Sequence, residues 1–424
     1  MRRYFDFNPK LMIRCIIKTT ALLMMAVGMF LPDAQAQSST SSPFSIFGIG
    51  EIETRDFGRT IGMGNVGIGL QSENFLNRRN PAGLSGIDTL RFVLDVSAAY
   101  KISEFRTIGQ KGRTNNFNFR NLAVGVRLGK RWTSSVGLSP YSNVGYSFTN
   151  KEPVQGTSDY ENFNFTGSGG INKFYWANAF ELFRGLSIGV TSSYYFGNFV
   201  HNEDMNMFSV KNTYNISQIY FDFGAQYSHW FGSYTNITVG GVYGYQSDMS
   251  IQQTEMITSN TGVNRNKRTP DIGSYIPESY GAGFSILRNK RAAEWILAAD
   301  YQYRNFLVDR SRYKNLVYTD SRIYSIGLQL TPNKQRPEKY IQAMRFQLGA
   351  CYNQSYLMVN GYQQNDYSVS LGVALPFRNL SYVTVSATVG ESGTGKRGGI
   401  TERYALLSVN LSLIERWFAR YQWN

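Results

Sequence analysis

Histidine and cysteine are almost missing from this 424-residue chain, which has two of each: His201 and His229, Cys15 and Cys351. A Ser–His–Asp triad or a His-rich metal centre would have to be built around one of those two imidazoles, so the chain does not read as an enzyme. His229 stands beside Trp230 and fits interface packing, while His201, next to Asn202, Glu203 and Asp204, is expected in an exposed loop. Cys15 falls in an expected leader, which leaves Cys351 alone and excludes an intramolecular disulfide. The fold must then be held by its hydrogen bonding. Long uncharged apolar runs are also lacking beyond residues 21–31, and those are too few to cross a bilayer as a helix. Two glycine patterns resemble nucleotide sites and fail on context. Gly62, Gly64 and Gly67 lack the strand, helix and acidic partner of a dinucleotide fold, and the Gly390 to Arg397 run has Arg397 where a metal-binding Ser or Thr is required. No cofactor or metal is expected.

The N-terminus has a targeting pattern. Arg2, Arg3, Lys10, Arg14 and Lys18 precede the apolar residues 21–31, and Ala34-Gln35-Ala36 offers a small-x-small cleavage site. Residues 1–36 are therefore expected to be a signal peptide. The net charge of +14 raises nucleic acid as a partner, but Lys and Arg are scattered, with no basic helix and no RNA-binding signature. Nucleic acid is not expected. The charge suits an anionic outer leaflet of lipid and lipopolysaccharide.

What the chain has in abundance is Tyr, Phe and Gly, 29, 28 and 41 residues respectively, laid out with a period of two. At the C-terminus Ala405, Leu407, Val409, Leu411 and Leu413 alternate with Tyr404, Leu406, Ser408, Asn410 and Ser412, and Trp417 and Phe418 follow. A period of two means an extended strand with one apolar and one wet face. The ladder begins at Leu90 and recurs until fourteen segments can be counted. Short connections near Lys130, Arg184, Gly232, Asn289, Asn333 and Arg378 alternate with long polar ones near Gln110, Thr157, Asp204, Gly262, Tyr313, Gln363 and Gly395. An even strand count with short turns at one end and long loops at the other is the layout of an outer-membrane barrel. The expected fold is all-β, a 14-stranded antiparallel transmembrane β-barrel over residues 90–418 with a 419–424 tail, in the cell outer membrane. Asp300, Gln302 and Arg304, then Arg345, Gln347 and Asn353, then Thr384, Ser386 and Thr388 mark the wet inner face. Trp132, Trp230, Trp295 and Trp417 fall near strand ends on the short-turn side, as an aromatic girdle would.

A lumen of fourteen strands is wide enough to need filling, and the Gly-rich residues 37–89 ahead of the first strand suit a plug. That segment carries Ser42-Pro43-Phe44-Ser45-Ile46-Phe47-Gly48-Ile49-Gly50, Gly62-Met63-Gly64-Asn65-Val66-Gly67-Ile68-Gly69 and Asn80-Pro81-Ala82-Gly83-Leu84. With these motifs the chain resembles the FadL/TodX family of outer-membrane transporters for hydrophobic compounds, particularly its Bacteroidota branch. The resemblance implies that Asn80, Pro81 and Ala82 belong to an N-terminal hatch plugging the barrel. It implies an inward kink in the third strand that opens a lateral gate, where Gly137, Pro140 and Gly145 stand and where Pro140 cannot donate to a ladder. It also implies capture of apolar ligand on the extracellular loops, for which Met205, Met207, Phe208, Met249 and Met256 are the candidates. The expected function is passive uptake of small hydrophobic compounds with lateral release into the membrane. Some relatives in this branch, associated with type IX secretion, are protein-binding barrels, so the alternative is a structural or shuttle barrel with partners in an outer-membrane secretion or assembly complex.

Overall fold

The computed structural model describes residues 42–416, apart from 56–57, 72, 90, 108, 154–159, 260–261, 263, 270–273, 291–292, 307–315, 335–336, 360, 379–380 and 395–398. The expected leader, the Trp417 and Phe418 pair and the 419–424 tail lie outside the described residues. Fourteen barrel strands follow one another along the chain: β1 Arg91–Thr107, β2 Gln110–Arg127, β3 Trp132–Pro153, β4 Tyr160–Phe183, β5 Leu186–Asp204, β6 Phe208–Phe231, β7 Thr235–Gly244, β8 Glu278–Lys290, β9 Ala293–Asn305, β10 Ser321–Thr331, β11 Arg345–Val359, β12 Tyr362–Arg378, β13 Ser381–Gly393 and β14 Thr401–Arg416. Each pairs antiparallel with the next, and β1 pairs back onto β14 from Arg91↔Arg416 to Arg106↔Thr401. Closure joins the first strand to the last, as strands that cross hydrocarbon require. Among the described residues no helix is long and apolar enough to cross a membrane.

The wall is inside out relative to a water-soluble protein. On β14, Tyr404, Leu406, Ser408, Asn410 and Ser412 are buried in the lumen, whereas Ala405, Leu407 and Val409 are exposed on the outside. The same reversal runs around the barrel. Gln226, Gln329, Thr384 and Ser386 are buried, while Ile219, Leu371 and Val389 are more than half exposed. Outward apolar side chains facing lipid and inward polar ones facing a filled lumen account for both sets. Trp132 and Trp230 are exposed near strand ends, and Trp132 stacks on Phe180 with ring centroids 6.0 Å apart.

Strand lengths are uneven. β4 and β6 have 24 residues each, β10 has 11 and β7 has 10. At about 3.4 Å per residue the long strands reach roughly 80 Å, about twice what a tilted membrane strand needs. They rise past the bilayer as a continuous sheet, which the hairpin Ile251–Ser259 and Asn264–Thr269 extends by pairing with β6. This corrects part of the sequence reading. The polar stretches near Gln110, Asp204 and Gln363 are strand ends joined by tight turns, as between Met205 and Phe208, and not long loops. Above the membrane both faces of a strand meet water, so the apolar alternation stops although the ladder continues.

Candidate functional site

The described residues of 42–89 lie in the barrel interior and include three short 3-10 turns, Pro43–Ile46, Ile61–Met63 and Pro81–Gly86. Backbone this irregular can sit at membrane depth only where protein satisfies its polar groups. The inward polar side chains of the wall do so. Asp300 Oδ2 accepts from the backbone of Gly67 and Ile68 at 2.6 and 2.9 Å, Asp95 Oδ2 accepts from Leu76 at 2.8 Å, and Gln226 Nε2 donates to Ile68 O at 2.8 Å. Asn80 is fully buried and caps the Pro81–Gly86 turn by accepting from Ala82 N. Its Nδ2 donates to Ile68 O at 2.9 Å, and lies within hydrogen-bonding reach of the β6 carbonyl of Ala225 and the β7 carbonyl of Gly241. Pro81 fits after it because the first turn of a helix needs no N–H from that position.

A girdle of glycines seats this segment. A Cβ on Gly189, Gly224 or Gly240 would collide with Pro81, Asn80 or Ile68, and one on Gly327 or Gly349 with Met63 or Gly64. The tightest approach is at Gly349, 1.9 Å from Gly64 N to the built Cβ position. These glycines pair across neighbouring strands, Gly189↔Gly224, Gly240↔Gly283 and Gly327↔Gly349. The wall is thus stripped of side chains at one level so that two backbones can touch. The sequence reading missed this ring. Its signal was glycine recurring on the wet face of successive strands, visible only once the register is known.

The wall itself has a seam between β2 and β3. Their pairing runs from Arg127↔Thr133 to Leu122↔Leu138 and stops there, although β3 remains paired with β4 as far as Pro153↔Tyr160. Pro140 stands just past the last pair, and the β3–β4 register shifts between Pro140 and Ser142. Residues 142–145 are all buried, so β3 has bent inward until both of its faces are covered. The β1–β2 register shifts at the same height, between Asn121 and Phe119, turning Arg120 and Asn121 both into the lumen and leaving Phe117 and Phe119 outside.

The N-terminal segment fills the luminal side of this seam. Glu51–Ile52 pairs with Asn143 and Ser142 of β3, Glu53 N donates to Tyr141 O, and Ser42 N donates to Gly145 O. Glu53 is ion-paired with Arg120 of β2, and its Oε1 accepts from Asn143 Nδ2 of β3 at 2.9 Å. One carboxylate therefore ties the two strands together where their backbones part. Gly137 lies below the seam, where a Cβ would strike the Tyr175 hydroxyl. Nearby, Lys101 Nζ meets Glu402 at 2.6 Å, and burial lifts the Glu51 carboxyl above its ordinary range while Lys101 pulls the other way.

Cavities remain. A cavity of about 180 Å³ opens beside the seam, lined by Pro140, Tyr141, Tyr195 and Tyr220 and by the charged groups of Arg78, Arg79, Lys173, Asp222 and Arg304. A larger one of about 520 Å³ lies at the short-turn end, around Arg59, Trp230, Lys334 and Arg345. The upper lumen holds apolar clusters, one joining Val144, Phe199, Ile216 and Ile251, another joining Phe44, Ile52, Phe306 and Tyr356. The five candidate capture residues occupy three separate places. Met249 is buried in the first of those clusters, Met205, Met207 and Phe208 form the tip of the β5–β6 hairpin with Met207 74% exposed, and Met256 lies on the added hairpin opposite Lys211.

The BamG family model matches residues 12–424. No curated protein matches the sequence. Among solved structures the fold is similar to the Pseudomonas putida toluene transporter TodX at 12% identity and a TM-score of 0.57, with 86% of this chain and 99% of that one covered. The Ralstonia pickettii toluene transporter TbuX is similar to the same degree, 12% identity, TM-score 0.57, 86% and 99% covered. A Pseudomonas aeruginosa FadL homologue is similar at 9% identity and a TM-score of 0.51, with 87% and 99% covered.

Proposed function

This chain belongs to the BamG family, and from that premise we propose that it acts as a plugged outer-membrane barrel that binds protein partners in an outer-membrane assembly. The observation that carries this reading is the pairing of a filled lumen with a tall external sheet. Residues 42–89 and the apolar clusters above them occupy the interior, while β3 to β6 and the hairpin at residues 251–269 stand above the membrane and offer backbone edges and exposed aromatics such as Phe148, Tyr160 and Phe208. Paired strands hold such a surface rigid, which lowers the ordering cost of binding. The test is mild extraction of tagged protein from outer membranes. Stoichiometric co-elution with the same partners, lost when residues 251–269 are replaced by a short turn in a barrel that still folds, supports the reading. A monomer recovered quantitatively under the mildest extraction overturns it.

A second reading is favoured by the seam. Structures sharing this fold are toluene transporters by name, and parting of β2 from β3 beside Pro140 offers a side exit from lumen to bilayer. On that reading Asn80, Pro81 and Ala82 sit in the plug, Gly137, Pro140 and Gly145 shape the exit, and small hydrophobic compounds are the cargo. Uptake of toluene or a long-chain fatty acid that falls in a deletion strain and returns with the wild-type chain supports it; uptake unchanged by the deletion counts against it.

A further inference from the structure

The cavity beside the seam gathers more positive charge than its walls can balance. Arg55 and Glu53 also line it, but Arg55 is held by Asp366 at 2.7 Å and Glu53 by Arg120. That leaves Arg78, Arg79, Lys173 and Arg304 in the lining with Asp222, while Asp300 acts on Arg79 from outside the lining. Arg78 donates to Asn121 and Ser139, and Lys173 Nζ lies 5.7 Å from the centre of the Tyr175 ring. Arg79 spends one N–H on Gln302 Oε1 at 3.2 Å, and its Nε and Nη2 are buried without a hydrogen bond. Arg304, half-buried, has no hydrogen bond or ion pair among the described residues. Charges taken out of water are ordinarily paired, and unmade donors on a guanidinium are costly. The guanidinium fork matches the oxygens of a carboxylate or phosphate. The hydroxyl-bearing rings of Tyr141, Tyr195 and Tyr220 complete the wall, Tyr141 and Tyr195 meeting edge to face at 4.6 Å.

We propose that this cavity is an oxyanion site, in which Arg79 and Arg304 grip a phosphate or carboxylate group carried by a small free molecule or by a lipid headgroup. Its volume of about 180 Å³ admits such a group. Pro140 and Tyr141 line it, so a headgroup reaching it from the bilayer would pass the seam and displace the N-terminal segment that fills it. The proposal stands apart from both readings above, because a barrel that binds partners and a barrel that passes hydrocarbons could each hold an anion here.

Two probes separate the sources: inorganic phosphate, and short-chain phosphatidic acid presented in mixed micelles. Full-length mature protein is measured by calorimetry and by its unfolding temperature, with Arg79→Gln, Arg304→Gln, Arg304→Lys and the outward control Lys211→Gln alongside. Wild type and the Lys211 variant are expected to bind at least one probe and to unfold several degrees higher with it. Both Gln variants should bind at least tenfold more weakly, with Arg304→Lys between them and wild type. Saturation by phosphate alone assigns a free anion, and binding of phosphatidic acid without phosphate assigns a headgroup. Removal of an unpartnered cation should not impair folding, which heat-modifiable gel migration reports; if Arg304→Gln does not fold, Arg79→Gln and Arg304→Lys carry the test. Wild type that binds neither probe, or folded variants that bind as well as wild type, overturns the proposal.

Discussion

Arg120 on β2 and Pro140 on β3 each stand two residues past the last pair that joins their strands, Leu122↔Leu138, and Arg120 turns inward to bind Glu53 instead of its neighbour strand. Proline has no N–H to offer across the gap, and the register shift at Arg120 removes the partner that such a donor would have met. The seam is thus made by both strands, and a residue belonging to neither closes it. Arg120→Ala leaves the Glu53 carboxylate with Asn143 as its remaining side-chain partner and should cost about 2 kcal/mol. The local effect should exceed the global one: amides of residues 42–53 should exchange faster with solvent while the barrel keeps its heat-modifiable migration. Exchange identical to wild type would mean that the ion pair does not hold the segment.

Pro140→Val tests the other half of the seam. Valine supplies a backbone donor and favours extended structure, so the β2–β3 ladder should lengthen and the amides of residues 116–121 should exchange more slowly, about tenfold or more. If lateral passage of hydrocarbons occurs, uptake should fall in step. Unaltered exchange would place the cause of the opening in the Arg120 bulge alone.

Much of this wall could be read directly from the chain, because lipid outside and polar filling inside impose a period of two that Ala405, Leu407 and Val409 display without error. The parts that could not be read fail for physical reasons. Residues 111–116 of β2 continue the ladder above the membrane, where no apolar face is required, so hydropathy reports a loop. Gly349 and Gly327 count as weak strand positions until the register shows Met63 and Gly64 pressed against them. Met249 has the composition of a capture patch, yet Phe199, Ile216 and Ile251 enclose it. The Asn80 motif was visible as a pattern, but its bonding to Ala225 and Gly241 lies more than a hundred residues away in sequence.

Asn80 faces a ring of acceptors, and that makes its amide nitrogen irreplaceable. Asn80→Ala removes the donors and the cap on Ala82 N, at roughly 2–3 kcal/mol. Asn80→Asp keeps the cap and the shape, but sets a carboxylate oxygen against the carbonyls of Ile68, Ala225 and Gly241. Its cost should be the larger, about 3–5 kcal/mol if the charge persists. Denaturant unfolding of the two variants decides the order; an Asp variant as stable as the Ala variant would refute the donor argument.

Gly349→Val should separate the wall from what it contains. The strand gains propensity, yet its new side chain occupies the position of the Gly64 backbone. The barrel is expected to assemble, with residues 61–69 displaced, a penalty of about 1–3 kcal/mol and new protease cleavage inside residues 42–89. A variant whose segment stays protected would mean that the wall yields instead.

Glu51 gives the clearest dependence on pH. Burial raises its folded-state pKa above the ordinary carboxylate value of 4.5, and Oε2 has no hydrogen-bond partner. An acid whose pKa rises on folding binds its proton more tightly in the native state. The ionised form therefore penalises folding above the raised pKa, and the penalty disappears as pH falls towards 4.5. Glu51→Gln should stabilise the protein at pH 7 to 8, and its advantage should vanish near and below the ordinary value. Lys101 works against this, because it loses one of its two anionic neighbours and keeps Glu402 at 2.6 Å. Unfolding midpoints of wild type and variant across that range measure the difference. A variant less stable than wild type at pH 7 would show that attraction to Lys101 outweighs desolvation.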